Sequence, residues 1–145
     1  MNPHSPQPNR SKAFTMVELL IVISVIGIMS ALVIAAFSNA AQDTRRVISR
    51  QQQAAAQSAV NAWVTSHSAT NGLTGSRTVY NTAGSSLARL QLVGGYLDDA
   101  TLAHFVANTD ADNPNNVLSA ALSKTGQYLL LGTWSSTSYP KVELK

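Results

Sequence analysis

Residues 19–41 carry no formal charge, and a lone acid, Glu18, stands at the head of that run. As a helix, 23 residues reach about 35 Å at roughly 1.5 Å per residue. The hydrocarbon of a bilayer, about 30 Å thick, is spanned by that length. A carboxylate inside such a segment is costly, so it marks function and calls for a partner.

Upstream lies a short polar leader, residues 1–13, ending Arg10-Ser11-Lys12-Ala13. A secretory signal peptide has a shorter apolar region and is cut after it, at small residues. Ala35-Ala36-Phe37 and Ser38-Asn39-Ala40 offer such sites, so removal of the whole run is one rival outcome. The length of the run and the acid in its first turn oppose it. Ser24, Gly27, Ala31 and Ala35 fall on one helical face. Small residues at that spacing let helices approach closely in lipid, although transmembrane helices are rich in glycine in any case. Arg10 and Lys12 precede the span, whereas Arg45, Arg46 and Arg50 follow it, so charge alone does not orient it.

The segment Lys12-Ala13-Phe14-Thr15-Met16-Val17-Glu18-Leu19-Leu20-Ile21-Val22-Ile23 resembles the processing site of type IV pilins and type II secretion pseudopilins. The resemblance covers roughly residues 10–36. It implies cleavage by a membrane-embedded prepilin peptidase between Ala13 and Phe14, on the cytoplasmic side, followed by N-methylation of Phe14. The family usually has Gly before the cut, and Ala13 departs from that pattern. Unlike a secretory signal, this cut leaves the apolar helix on the mature chain. Cleavage would also give Glu18 a partner, the new Phe14 amine about one helical turn away, so that the pair can neutralise itself within one chain. In a filament the resemblance implies that Glu18 meets the Phe14 amine of an adjacent subunit and sets register. Buried charge pairs serve register better than net stability, because a mispaired charge is heavily penalised. A carboxylate snorkelling to the membrane surface is the plainer alternative. The family often kinks this helix at a proline, but none occurs between Pro8 and Pro114.

The expected fold class is α+β: a long N-terminal helix, transmembrane then amphipathic, packed on a small antiparallel β-sheet head. Four parts are expected: leader 1–13, transmembrane and assembly helix 14–41, amphipathic continuation 42–70, and head 71–145. Val47, Ile48, Ala55, Ala59, Ala62 and Trp63 supply an apolar stripe at helical spacing. Asn71-Gly72 and Gly75 are expected to end the helix. In the head, Ser85 is expected to cap a helix reaching Val93, and Asp98 a second over residues 101–106. Strands are expected at 117–122, 127–134 and 139–144, with Leu129, Leu131 and Trp134 in the core.

Composition excludes several classes. The chain has no cysteine, hence no disulfide or thiolate ligand. Its net charge of +3 falls to +1 without Arg10 and Lys12, which is no nucleic-acid footprint. Asp43, Arg45, Arg46 and Arg50 suit a solvated collar or intersubunit contacts. Asp110, Asp112 and the asparagines around Pro114 offer oxygen ligands of the kind Ca²⁺ takes, yet these are also turn residues. Spacing leaves both readings open. His4, His67 and His104 are scattered, and the Asp98-Asp99 pair suits helix capping. No catalytic, cofactor-binding or metal site is assigned, and no enzyme is expected.

The resemblance therefore implies a structural, prepilin-like subunit of a type IV pilus or a type II secretion pseudopilus. Its expected partners are copies of itself, related pilin-like subunits, prepilin peptidase, an inner-membrane assembly platform and membrane lipid. It would sit in the bacterial inner membrane by a single pass, with its head in the periplasm or in an extracellular filament. A membrane-anchored periplasmic binding module that never polymerises is the alternative.

Overall fold

The computed structural model describes residues 14–145. In chain order its elements are α1 (Met16–Thr82), α2 (Ser86–Leu92), a 3₁₀ turn (Gly94–Tyr96), α3 (Asp99–Asn108), α4 (Ala120–Thr125), β1 (Leu129–Leu131) and β2 (Val142–Leu144). The class is α+β, with one long helix, several short ones and a two-stranded antiparallel sheet. Two compact units are formed, one ending at Ala40 and the other covering Ala41–Lys145.

In the first unit every described residue is exposed. Leu20, Ile26 and Ile34 present 62%, 58% and 70% of their surface. The helix is apolar and long enough to cross a membrane. Its Ser24 hydroxyl donates to the Leu20 carbonyl at 2.7 Å, which keeps that polar group satisfied within the helix.

The second unit holds a closed core of Trp63, Tyr80, Leu90, Phe105, Leu122, Leu129, Leu131 and Trp134 with smaller neighbours. Within α1 the helical geometry is broken at Gly72, with φ 69° and ψ 165°, as Asn71-Gly72 suggested. That left-handed φ suits glycine. The helix then resumes to Thr82 where loop was expected. Tyr80 anchors this extra stretch in the core, and Thr78 and Thr82 each donate to the carbonyl four residues back.

The buried face of α1 also differs from the expected stripe. Ala59 and Trp63 are buried, but Val47, Ile48, Ala55 and Ala62 are exposed. The true face runs through Ser49, Ala56, Ala59, Val60, Trp63 and Val64. Polar residues share it, so apolar spacing alone misplaces it. Gln53 donates to the Val142 carbonyl at 2.9 Å, and Gln57 accepts from the Val142 amide at 2.7 Å. Gln57 also donates to the Pro140 carbonyl at 3.2 Å.

These amides explain the small sheet. β1 and β2 pair as Leu129↔Leu144, Leu130↔Glu143 and Leu131↔Val142. The Gln53 and Gln57 side chains take up the Val142 backbone groups, so the edge of β2 does not need another strand there. Asn81 clamps Trp134 in the same two-point way, donating to its carbonyl at 2.8 Å and accepting from its amide at 2.9 Å. The expected strand at 117–122 shrinks to one bridge, Val117 to Leu129. Ser119 caps α4 instead, and Gly126 ends it at φ 70° with the Gln127 amide bonded to Leu122. The expected caps at Ser85 and Asp98 are present, on α2 and α3.

Candidate functional site

The start of α1 is built from three residues ahead of the apolar run. Thr15 precedes the first helical residue, Met16, and its hydroxyl accepts from the Glu18 amide at 3.2 Å. The Glu18 carboxylate reaches back and accepts from the Thr15 amide at 2.9 Å and the Thr15 hydroxyl at 3.0 Å. This reciprocal pairing is a capping box, which satisfies two amides that a helix start leaves free. The carboxylate is thereby fixed where the positive end of the helix dipole favours negative charge.

Sequence reasoning paired Glu18 with the Phe14 amine, within one chain or between subunits, and missed its bonds to Thr15. The signal was present: Thr15, two residues, then Glu18, directly ahead of a hydrophobic run. Phe14 is 80% exposed beside this cap. Ala13, the other half of the expected cleavage site, lies outside the described residues, as do Arg10, Lys12 and His4. Ser24, Gly27, Ala31 and Ala35 are all exposed, and a Cβ built on Gly27 would meet nothing within 4 Å.

The remaining sequence candidates act on the head's own backbone. Asp98 accepts from the Thr101 amide and hydroxyl, capping α3. Asp110 accepts from the Asp112 amide at 3.0 Å, while Pro114 and Asn115 accept from the Leu87 and Ser86 amides at the start of α2. The oxygen-rich loop is therefore a turn that caps a neighbouring helix. His104 accepts from the Ala120 amide at 3.3 Å at the start of α4, and His67 stacks on Trp63 with ring centroids 4.1 Å apart. Among the described residues, no group of three or more His, Asp or Glu side chains could hold a metal.

One buried polar cluster was not anticipated. Arg89 is buried and donates to the Leu131 carbonyl at 2.8 Å, with its guanidinium 5.7 Å from the centre of the Tyr80 ring. Burial pushes the Tyr80 phenol up to about 12, with the Arg89 charge opposing the shift. At the surface, Lys145 sits 2.6 Å from Glu143, holding that carboxyl below its ordinary range while its own ammonium is raised.

Residues 8–34 match the prokaryotic N-terminal methylation motif, the signature of type IV pilins and pseudopilins. This is the signature of prepilin-like substrates of prepilin peptidase, a structural and generally non-enzymatic class. The motif brackets Thr15, Glu18 and most of the exposed apolar run. No curated protein and no solved structure matches the chain.

Proposed function

We propose that this chain is a structural subunit, cut between Ala13 and Phe14, methylated on the new Phe14 amine, and assembled into a type IV pilus or pseudopilus. The observation that carries this reading is the coincidence of the methylation motif with a helix that is capped by Thr15 and Glu18 and whose uncharged residues 19–40 are all exposed. Residues 14–41 anchor the subunit in the bacterial inner membrane before assembly and pack against copies of it afterwards. Residues 42–70 are its stem and 71–145 its head, held in the periplasm or along an extracellular filament.

Glu18 has two consecutive tasks in this scheme. Before assembly the capping box holds its carboxylate at the helix start. Cleavage then creates an ammonium at Phe14, and pairing of Glu18 with that group on an adjacent subunit sets the register. A lone carboxylate in hydrocarbon is otherwise heavily disfavoured, so an incoming subunit gains by meeting the cation.

Mass analysis of the mature N-terminus tests the processing step. A mass beginning at methylated Phe14 is expected from cells that hold prepilin peptidase. A start beyond Ala36 or Ala40 would mean ordinary secretion and end this reading. Mechanical shearing then separates polymerising from solitary forms: a processed chain that never enters filaments is a membrane-tethered binding module.

A further inference from the structure

We propose that Arg45, Arg46 and Lys124 form a seat for the phosphate of an anionic phospholipid. Arg45 and Arg46, on α1, converge with Lys124, in the last turn of α4, around a cavity of about 190 Å³ also lined by Gln42 and Thr125. All five residues belong to the unit that covers Ala41–Lys145.

The charge balance calls for an anion. The nearest counter-charge is Asp43, 3.7 Å from Arg46, and both side chains are solvent-exposed. Arg45 and Lys124 form no ion pair among the described residues. Cations from two elements around one cavity repel one another modestly in solvent, and an anion between them turns that repulsion into attraction. Guanidinium groups offer planar forked donors that match phosphate oxygens, and a lysine adds a mobile point charge.

The source of the phosphate follows from position along the chain. Arg45 stands four residues beyond the last of the uncharged run 19–41, about one helical turn. Long basic side chains just beyond a membrane segment, on either side, reach the level of the lipid headgroups. The seat thus rests on the membrane-anchored reading and gives a further task to arginines that the sequence assigns to a solvated collar or intersubunit contacts. A lipid-held head would be kept at the membrane surface until the subunit is withdrawn into a polymer.

Native mass spectrometry of the full-length chain in detergent micelles, offered phosphatidylglycerol and phosphatidylcholine together, tests the seat. Preferential retention of phosphatidylglycerol is expected, with R45Q/K124Q losing about fivefold per cation removed. R77Q/K141Q, with the same loss of charge elsewhere, should keep the preference. Should R45Q/K124Q melt early, K124Q alone is expected to show a single fivefold loss. Retention by R45Q/K124Q, or by a folded K124Q, at the wild-type level would overturn the proposal. So would displacement of the lipid by millimolar inorganic phosphate, which would make this a free-anion site. Failure of the anchoring reading is read separately, as absence of the full-length chain from the membrane fraction.

Discussion

The apolar residues before Ala40 and those after it live by opposite rules. Before it, Ile26, Ile34 and their neighbours are exposed without exception. After it, Trp63, Tyr80 and Phe105 close a core with almost no accessible surface. Polar groups divide the same way. Thr15, Glu18 and Ser24 bond within a turn, whereas Gln53, Gln57 and Asn81 reach backbone 53 to 89 residues away. One region leaves its apolar side chains uncovered, and the other buries its largest ones against each other. A membrane segment must satisfy its backbone and side chains locally, because lipid offers no hydrogen bonds.

The sharpest way to break that contrast is to truncate one large side chain in each region. Trp63→Ala should destabilise the head by about 3–5 kcal/mol in urea unfolding of the full chain in detergent. Ile26→Ala should leave that unfolding unchanged to within about 0.5 kcal/mol and act on membrane retention or assembly instead. A comparable loss from both would show that the two regions are not independent.

Next in size is the amide stitching of the head. Gln57→Ala strands the Val142 amide, for a loss of about 1–3 kcal/mol in the same unfolding measurement.

An effect of similar size appears only at high pH. The folded state holds the Tyr80 proton to about 12, while the unfolded chain releases it near 10.0. Stability from this group is therefore complete below pH 10 and lost as pH rises towards 12. A full shift of that size corresponds to roughly 2–3 kcal/mol. Tyr80→Phe should remove that alkaline step and cost little at neutral pH, since the buried hydroxyl has no partner. Thermal melts of both proteins between pH 9 and 12 check it.

The smallest effect concerns the break in α1. Gly72→Ala must strain a left-handed φ, at a cost of about 1 kcal/mol, read in the same melts at neutral pH.

The same division governs what could be read from sequence. The membrane-length helix, the caps at Ser85 and Asp98 and the break at Gly72 are local, and each was legible from neighbouring residues. Leu129, Leu131 and Trp134 were recognisable as core because large apolar side chains in a short head have few other places to go. The buried face of α1 and the strand count were not legible. The face includes Ser49 and lies beside Gln53 and Gln57, polar residues that periodicity treats as surface, and the third strand is lost because Ser119 caps α4. At the candidate site, Glu18 stood out as a charge in an apolar run. Its bond to Thr15 was legible too, but the expected partner, a Phe14 amine created by cleavage, drew the reading away from the partner three residues back.

That double identity of Glu18 sets the decisive measurement. Glu18→Gln keeps a capping box, since glutamine fills that position as well as glutamate, but removes the charge. Thr15→Val keeps the charge and removes the hydroxyl that accepts from the Glu18 amide, leaving only the backbone half of the box. Yields of sheared filaments from cells expressing each variant compare the two directly. A severe loss with Glu18→Gln and near wild-type yield with Thr15→Val is the outcome expected if the carboxylate pairs with a neighbour's amine. The reverse pattern would reduce Glu18 to a helix cap and contradict the assembly role.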